Sequence, residues 1–384
     1  MLTLGIPKEI KAYEKRVALT PEGVRQATAS GIPVWVETGA GKESGFFDEA
    51  YRQAGARIAP DAGTLYREAD LIQKVKEPLP VEYPRLKQKI VFSFLHLASP
   101  ENCHLLQVLL DQKVTAIGYE TLEKNGFIPI LAPMSEIAGA LAAIYAAVLG
   151  YDEIQEFPPL APHAILRTEL EKAARLYPGI PEHLRLGNVV IFGGGAAGRK
   201  AAEYAVRMKA QVTVIERNAI LRDRLRESLW SRHFPAAALL SREEDLSAVL
   251  AKADVLIGCA HRAGYRAEHV LHPDELAVAS LQRRKILLDV AIDQGGNFPE
   301  SRATDYGNPV YLDSHRNLRF GVANMPSFCG PAASAAITET TLVYTLAMAQ
   351  DLGLALQKYP ELAQAINTQE GVIRHEGIRQ AHQR

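Results

Sequence analysis

Short apolar, β-rich runs recur along the first third of the chain, each followed by a stretch with helical spacing. Leu2 to Ile6, Val34 to Val36, Leu71 to Lys74, Ile90 to Phe94 and Val114 to Gly118 read as strands. Thr20-Pro21 offers an N-cap hydroxyl followed by proline at the first helical position, and Gly31 stops that helix. Further helical patterns fall near Asp48 to Ala54, Ala62 to Ala69 and Pro100 to Leu110. Strands alternating with helices predict a parallel α/β sheet. A second such run starts at Asn188, with strands at Val189 to Phe192, Val212 to Ile215, Val255 to Ile257 and Ile286 to Val290, and continues to about Val310. The tail, roughly Ala332 to Gly353 with another helix after Tyr359, reads as helical and is expected to pack back on the first unit.

Between the two runs lies the most apolar stretch, Ile137 to Tyr151, 15 residues closed by Glu136 and Asp152. That is short of the ~20 residues a bilayer-crossing helix needs. Its alanines predict a helix packed closely between two bodies of protein. Residues 152–186 change character, with Pro158, Pro159, Pro162, Pro178 and Pro181 around a charged helical piece near Leu166 to Leu176, and read as a connector. The expected fold is α/β: two Rossmann-like domains with parallel sheets, joined by a long helix, with a cleft between them.

Composition narrows the partners. The 384 residues suit two domains, and 43 Lys plus Arg against 44 Asp plus Glu leave a net charge of −1. Nothing global attracts nucleic acid or an anionic membrane, so the expected partner is a small molecule. Cys103, Cys259 and Cys329 lack Cys-x-x-Cys spacing, which argues against a disulfide framework or a thiolate metal site. The start, Met-Leu-Thr-Leu-Gly-Ile-Pro, has no basic segment followed by an apolar one, so a cytoplasmic location is expected.

The strand Val189 to Phe192 runs directly into Gly193-x-Gly195-x-x-Gly198 and a helix through Tyr204. Gly193 makes the tight turn, Gly195 lets the backbone approach a pyrophosphate, Gly198 allows close helix–strand packing, and Ala196 and Ala197 between them are expected to contact the cofactor with the glycines. The helix N-terminus supplies N–H groups and partial positive charge for phosphates. Glu216, 18 residues beyond Gly198, ends the next strand. A carboxylate there accepts hydrogen bonds from ribose hydroxyls and repels a 2′-phosphate, pointing to NAD; Arg217 beside it pulls the other way.

Hydride transfer to or from a small oxo, hydroxy or amino acid also needs a cation for the substrate carboxylate and a group that moves a proton near neutral pH. Arg16, Lys76 and His96 sit at or beside strand ends of the first unit, where open α/β sheets bind ligands. Arg16 and Lys76 also fit solvated surface, and His96 between leucines also fits a hydrogen-bonded core residue. Asp293, in Asp293-Gln-Gly-Gly296 after a strand of the second unit, could polarise an amine, orient His96, face the nicotinamide ribose or cap a turn.

Taken together, Gly5-Ile-Pro-Lys-Glu9, Arg16-Val-Ala-Leu-Thr-Pro21, Glu37-Thr-Gly-Ala-Gly41, Lys74-Val-Lys-Glu-Pro78, Phe94-Leu-His-Leu97, Leu131-Ala-Pro-Met-Ser-Glu136, Asp293-Gln-Gly-Gly296 and Val322-Ala-Asn-Met-Pro326 resemble alanine dehydrogenase. The wider family includes the NAD-binding component of proton-translocating transhydrogenase. The resemblance implies a substrate domain of residues 1–133 plus about 327–384 and an NAD domain of 134–326, the latter including the linking helix 134–151 and the connector 152–186. It implies that Arg16 and Lys76 hold pyruvate, that His96 is the general acid/base assisted by Asp293, and that Ser135, Val290, Asn324 and Met325 surround the nicotinamide and its ribose. The implied reaction is the NAD-dependent, reversible oxidative deamination of L-alanine to pyruvate and ammonia by a homo-oligomer, hexamer or dimer. An opine- or saccharopine-type imine reductase is a second reading and a non-catalytic NAD-binding module a third; Lys76 and His96 in their local motifs favour the enzyme. The chain departs from the family pattern at 152–186, 259–266 and 327–334, and His261, Arg262 or Arg266 either adds positive charge near the site, suited to a larger or more acidic amino acid, or is an exposed loop charge.

Overall fold

The computed structural model describes residues 1–150, 163–180, 184–230, 237–241, 245–260, 267–281 and 283–382. The chain divides into two compact units, Met1–Met134 with Ser327–Arg384, and Ser135–Pro326. The first contributes β1 (Leu4–Ile6), β2 (Val34–Glu37), β3 (Arg57–Ala59), β4 (Leu71–Gln73), β5 (Ile90–Ser93) and β6 (Thr115–Gly118). The second contributes β7 (Asn188–Phe192), β8 (Gln211–Ile215), β9 (Ala237–Leu240), β10 (Val255–Gly258), β11 (Ile286–Asp289), β12 (Val310–Leu312) and β13 (Leu318–Phe320). The chain then returns to the first unit with β14 (Ile366–Gln369) and β15 (Val372–Ile373).

Both sheets are mostly parallel, as expected of Rossmann-like α/β domains. The first has the order β15-β14-β6-β5-β4-β1-β2-β3 and the second β12-β13-β11-β10-β7-β8-β9. β1, β4, β10 and β11 are buried along their whole length, which suits apolar strands covered on both faces. Among the described strands, antiparallel pairing enters toward the edges, β12 with β13 and β14 with β6 and β15. In the first sheet the chain runs β1-β2-β3 to one side and then places β4 on the other side of β1; in the second, β8 and β10 flank β7. These reversals mark β1/β4 and β7/β10 as the places where loops diverge and leave room for ligands.

Two expectations need correcting. The apolar helix is Leu131–Leu149, 19 residues, because Pro133 falls in its first turn, where a missing N–H costs no helical bond. With a mean hydropathy of 1.5 it is long and apolar enough to cross a membrane by length and composition, but 67% of its most apolar window is buried inside the protein, as in a core helix. The tail is not wholly helical: Glu370 and Gly371, both at positive φ (53° and 78°), form a tight turn joining β14 to β15. Residues 152–162 and 181–183 of the connector lie outside the described residues, and the helical piece expected near Leu166 to Leu176 is there. Its helix His163–Ala174 buries Leu166, Leu170, Ala173 and Ala174, and the Tyr204 hydroxyl donates to the Pro178 carbonyl at 2.7 Å.

The long helix Gly330–Gln350 buries Ser334, Ile337, Thr338, Thr341, Thr345 and Met348, one stripe at helical spacing. Its hydroxyls serve the first unit. The Val17 N–H donates to Ser334 and that of Thr20 to Thr338, each at 2.9 Å, while Gln73 exchanges hydrogen bonds with Thr341 and Thr345 at 3.0 Å. The backbone around Arg16 and the residue before Lys74 are therefore pinned by side chains more than 250 positions away.

Candidate active site

Parallel strands put their carboxyl ends on one edge of a sheet. In the first unit those ends lead β1 to Glu9, β4 to Lys74 and Lys76, β5 to His96 and β6 to Glu120. The Gln73 amide reaches the Ala18 carbonyl at 3.4 Å, which brings the Arg16 segment against the same edge. Arg16 is 2% exposed, and its guanidinium donates from Nε and Nη2 to the two oxygens of Glu14 at 2.7 and 2.5 Å. This bidentate grip fixes the guanidinium plane, and Nη1 lies 3.4 Å from Met134 Sδ. The divergent loop 327–334 lands beside it: Lys15 sits 4.4 Å over the Phe328 ring, and burial pushes the Cys329 thiol up to about 12 against the lowering effect of Arg16.

Lys74 is fully buried between two carboxylates, Glu82 at 2.9 Å and Glu9 at 3.4 Å. Both carboxylates also hold the loop that carries Lys76. Glu9 accepts from the Val75 N–H at 2.6 Å and Glu82 from the Leu79 N–H at 2.8 Å, while the Tyr66 hydroxyl donates to Glu82 at 2.8 Å. One ammonium cannot neutralise two buried carboxylates. Burial, with repulsion from Glu14 and Glu82, lifts Glu9 to about 7 although Lys74 and the Val75 N–H pull it down. Lys76 itself is buried, as is Glu77, which Lys11 meets at 2.5 Å.

His96 is half-buried with φ +48°, in the left-handed region. The Phe94 ring stacks on it at 5.9 Å and 8°, and Phe94 in turn meets Tyr119 edge-on at 5.0 Å. The Phe94 N–H donates to the Val75 carbonyl at 3.1 Å, so the loops of Lys76 and His96 are bonded together.

In the second unit the fingerprint turn is built as its glycines require. Gly193 has φ +94°, a Cβ on Gly198 would stand 1.8 Å from the Gly193 carbonyl, and a Cβ on Gly195 would meet nothing within 4 Å. That open side, with the helix Ala196–Arg207 behind it and no side chain capping its N-terminus, fits a pyrophosphate. Glu216 is buried and accepts from the Gly194 N–H at 2.6 Å and the Asn218 N–H at 2.8 Å, so it braces the turn. Arg217 is exposed and pairs with Glu268 at 3.0 Å. The apolar helix supports the cradle from behind: a Cβ on Gly139 would lie 2.0 Å from the Ala197 carbonyl oxygen, and Glu136, next to Ser135, pairs with Arg199 at 3.0 Å.

Val290 follows β11, and Asn324 and Met325 follow β13, on the edge that carries the fingerprint. Asn324 is at φ +64°, and the Met325 carbonyl accepts from Tyr306, whose hydroxyl meets that of Tyr145 on the apolar helix at 3.0 Å. Asp293 is exposed on a 3-10 turn ending in Gly295 and Gly296, both at positive φ. Asp289 anchors the following loop, its Oδ2 accepting from Ser301 at 2.5 Å and the Asn297 N–H at 2.7 Å. Asn297 bonds to both backbone groups of Ala260 at 2.9 Å, tying this loop to the start of the divergent segment. His261, Arg262 and Arg266 lie outside the described residues. Among the described residues no cluster suited to a metal ion occurs.

The first unit thus gathers Arg16, Lys76 and His96 on one sheet edge, and the second gathers Gly193, Gly195, Gly198, Glu216, Val290, Asn324 and Met325 on another. Residues 5–138 match the family described as Alanine dehydrogenase/PNT, N-terminal domain, and residues 165–376 match Alanine dehydrogenase/PNT, C-terminal domain. The chain belongs to the alanine dehydrogenase/PNT family. It is 38% identical over 381 residues to the alanine dehydrogenase of Bacillus subtilis (strain 168), covering 98% of this chain and 94% of that protein. Against the alanine dehydrogenase of Mycobacterium tuberculosis (strain CDC 1551 / Oshkosh) it is 36% identical, covering 98% and 96%. A solved L-alanine dehydrogenase structure superposes with a TM-score of 0.82 at 33% identity, covering 99% of this chain and 98% of the other. The family resemblance therefore extends across the divergent segments. Sequence motifs alone did not bring out Glu9, Glu14, Glu82 and Glu120, although acidic residues placed just after strands, or beside a buried cation, are a signal that could have found Glu9 and Glu120.

Proposed function

We propose that the protein is an NAD-dependent alanine dehydrogenase, catalysing the reversible oxidative deamination of L-alanine to pyruvate and ammonia. The observation that carries this is the sheet edge holding Arg16, Lys76 and His96, in a chain whose relatives bear that name at up to 38% identity over nearly its full length. Residues 1–133 with 327–384 act as the substrate domain and 134–326 as the NAD domain.

NAD, when bound, accepts or returns the hydride. The Gly193–Gly198 turn with Ala196 and Ala197 holds its pyrophosphate, Glu216 its adenosine ribose, and Ser135, Val290, Asn324 and Met325 the nicotinamide end. Arg217, drawn to Glu268, leaves Glu216 to decide for NAD over NADP. The guanidinium of Arg16, held flat by Glu14, binds the substrate carboxylate. Lys76 polarises the carbonyl oxygen of pyruvate. His96 moves the proton, taking one as water adds to the imine carbon in deamination and returning it as water leaves in amination; an imidazole does both near neutral pH. Asp293 assists through its carboxylate. The expected assembly is a homo-oligomer, a hexamer or a dimer, and the expected compartment is the cytoplasm, which suits three free cysteines.

A panel of 2-oxo acids and amino acids with NADH, NADPH, NAD and NADP, run with and without ammonia, tests the reading. NADH oxidation should require pyruvate and ammonia together, and NAD reduction should require L-alanine. Turnover of pyruvate with a second amino acid but without ammonia would make it an opine-type enzyme, and inertness throughout would make it a binding module.

A further inference from the structure

The chemistry assigned to His96 rests on a turn after β5 that a carboxylate from the neighbouring strand end, after β6, holds. Glu120 lies on the 3-10 turn Tyr119–Thr121 that follows β6. It accepts from the His96 N–H at 2.7 Å and from the Leu95 N–H at 3.2 and 3.3 Å. His96 occupies a left-handed conformation, which a non-glycine residue keeps only when its surroundings over-determine it. Those surroundings are visible. The Asn102 amide donates to the Leu95 and His96 carbonyls at 3.2 Å, and His382 Nε2 lies 2.6 Å from the Leu97 carbonyl oxygen.

Glu120 differs from these other braces in being a buried carboxyl that accepts from two consecutive N–H groups at once. Burial raises the Glu120 carboxyl, while the His96 and Leu95 N–H groups and the Lys76 ammonium pull it back. Its neighbour Tyr119 packs edge-on to Phe94, the ring on which His96 stacks. Two consecutive residues therefore set the imidazole plane and the backbone that bears it.

We propose that Glu120 is a positioning residue for the reaction, holding the left-handed His96 turn in place through the His96 and Leu95 N–H groups. This rests on the acid/base role given above to His96. The test uses the full-length protein with Glu120→Ala, Glu120→Gln and Glu120→Asp, and His96→Gln as reference. The measurements are kcat, the pyruvate KM, the pH profile of kcat/KM, NADH affinity and Tm.

Glu120→Ala should lower kcat by about 100-fold, as expected for a misplaced reacting group, with NADH affinity unchanged. Glu120→Gln keeps an acceptor oxygen and loses the charge. It should lose about tenfold in kcat, and the acid limb should move down by about one pH unit, because a neighbouring negative charge no longer supports the imidazolium. Glu120→Asp should recover part of the loss. Wild-type kcat and an unmoved acid limb in both Glu120→Ala and Glu120→Gln would overturn the proposal, as would losses that follow Tm alone with the limb unmoved. Wild-type turnover in His96→Gln would instead overturn the acid/base assignment, and this proposal with it.

Discussion

Replacing Gly139 by alanine tests how the apolar helix supports the cofactor cradle. The added Cβ would stand 2.0 Å from the Ala197 carbonyl oxygen, 2.7 Å from its carbonyl carbon and 2.9 Å from its Cα. All three are backbone atoms, so no side chain can rotate away. Ordinary contact begins near 3.4 Å, so the two helices must part by about 1.4 Å or bend. Overpacking of this kind costs about 1–3 kcal/mol, and alanine returns about 0.5–1 kcal/mol of helix propensity. The net loss is about 1–2 kcal/mol, a fall in Tm of roughly 2–8 °C for a unit of this size. Ala197 lies in the first turn of the fingerprint helix, so its shift also misaligns the phosphate-facing N–H groups. NADH affinity, read by fluorescence titration, should weaken about tenfold, the equivalent of 1.4 kcal/mol. A variant matching wild type in both Tm and NADH affinity would show that the helices are not in the contact described.

Two further outcomes follow from the buried carboxylates. Glu9 binds its proton more tightly in the folded chain (about 7) than at its ordinary value of 4.5, so its stabilising contribution is complete below pH 4.5 and is lost as pH rises through about 7. Glu9→Gln should therefore gain stability relative to wild type between pH 5 and pH 8 in urea titrations, and a constant difference across that range would refute the shift. Glu216→Ala removes the acceptor of the Gly194 N–H as well as the ribose partner, so NADH should bind about tenfold or more weakly. The preference for NADH over NADPH should fall at the same time, and an unchanged ratio would show that Glu216 does not set it.

The strands and the fingerprint were legible because each is a local pattern. Val189 to Phe192 leading into Gly193-x-Gly195-x-x-Gly198 carries its own geometry, and the β4 and β5 ends announced Lys76 and His96. The β14–β15 hairpin was not legible. Its turn is Glu370-Gly371 rather than Asn-Gly, with Glu370 at φ 53°, and its strand β14 pairs with β6, about 250 positions earlier in the chain. The brace around Lys76 escaped for a similar reason: Glu9, Lys74 and Glu82 are far enough apart in sequence to look like unrelated surface charges, and only burial at the sheet edge makes them one cluster. The linking helix is expected from 134, whereas it starts at Leu131 with Pro133 in its first turn, where proline is tolerated. For the hairpin and the brace the deciding contact is long-range, and no window of residues contains it.

Topology also orders the birth of the two units. The strands of the second unit, β7 to β13, form one unbroken interval of the chain and can pair as soon as they leave the ribosome. The first unit has to wait: its sheet gains β14 and β15 only after residue 373, and the turn carrying His96 receives the His382 contact later still. Until then β6 has an unpaired edge and the hydroxyl stripe of the Gly330–Gln350 helix is missing from the backbone around Arg16. A nascent chain of this protein therefore spends most of its synthesis with an open sheet edge, the kind of surface that chaperones shield and that promotes aggregation when left bare.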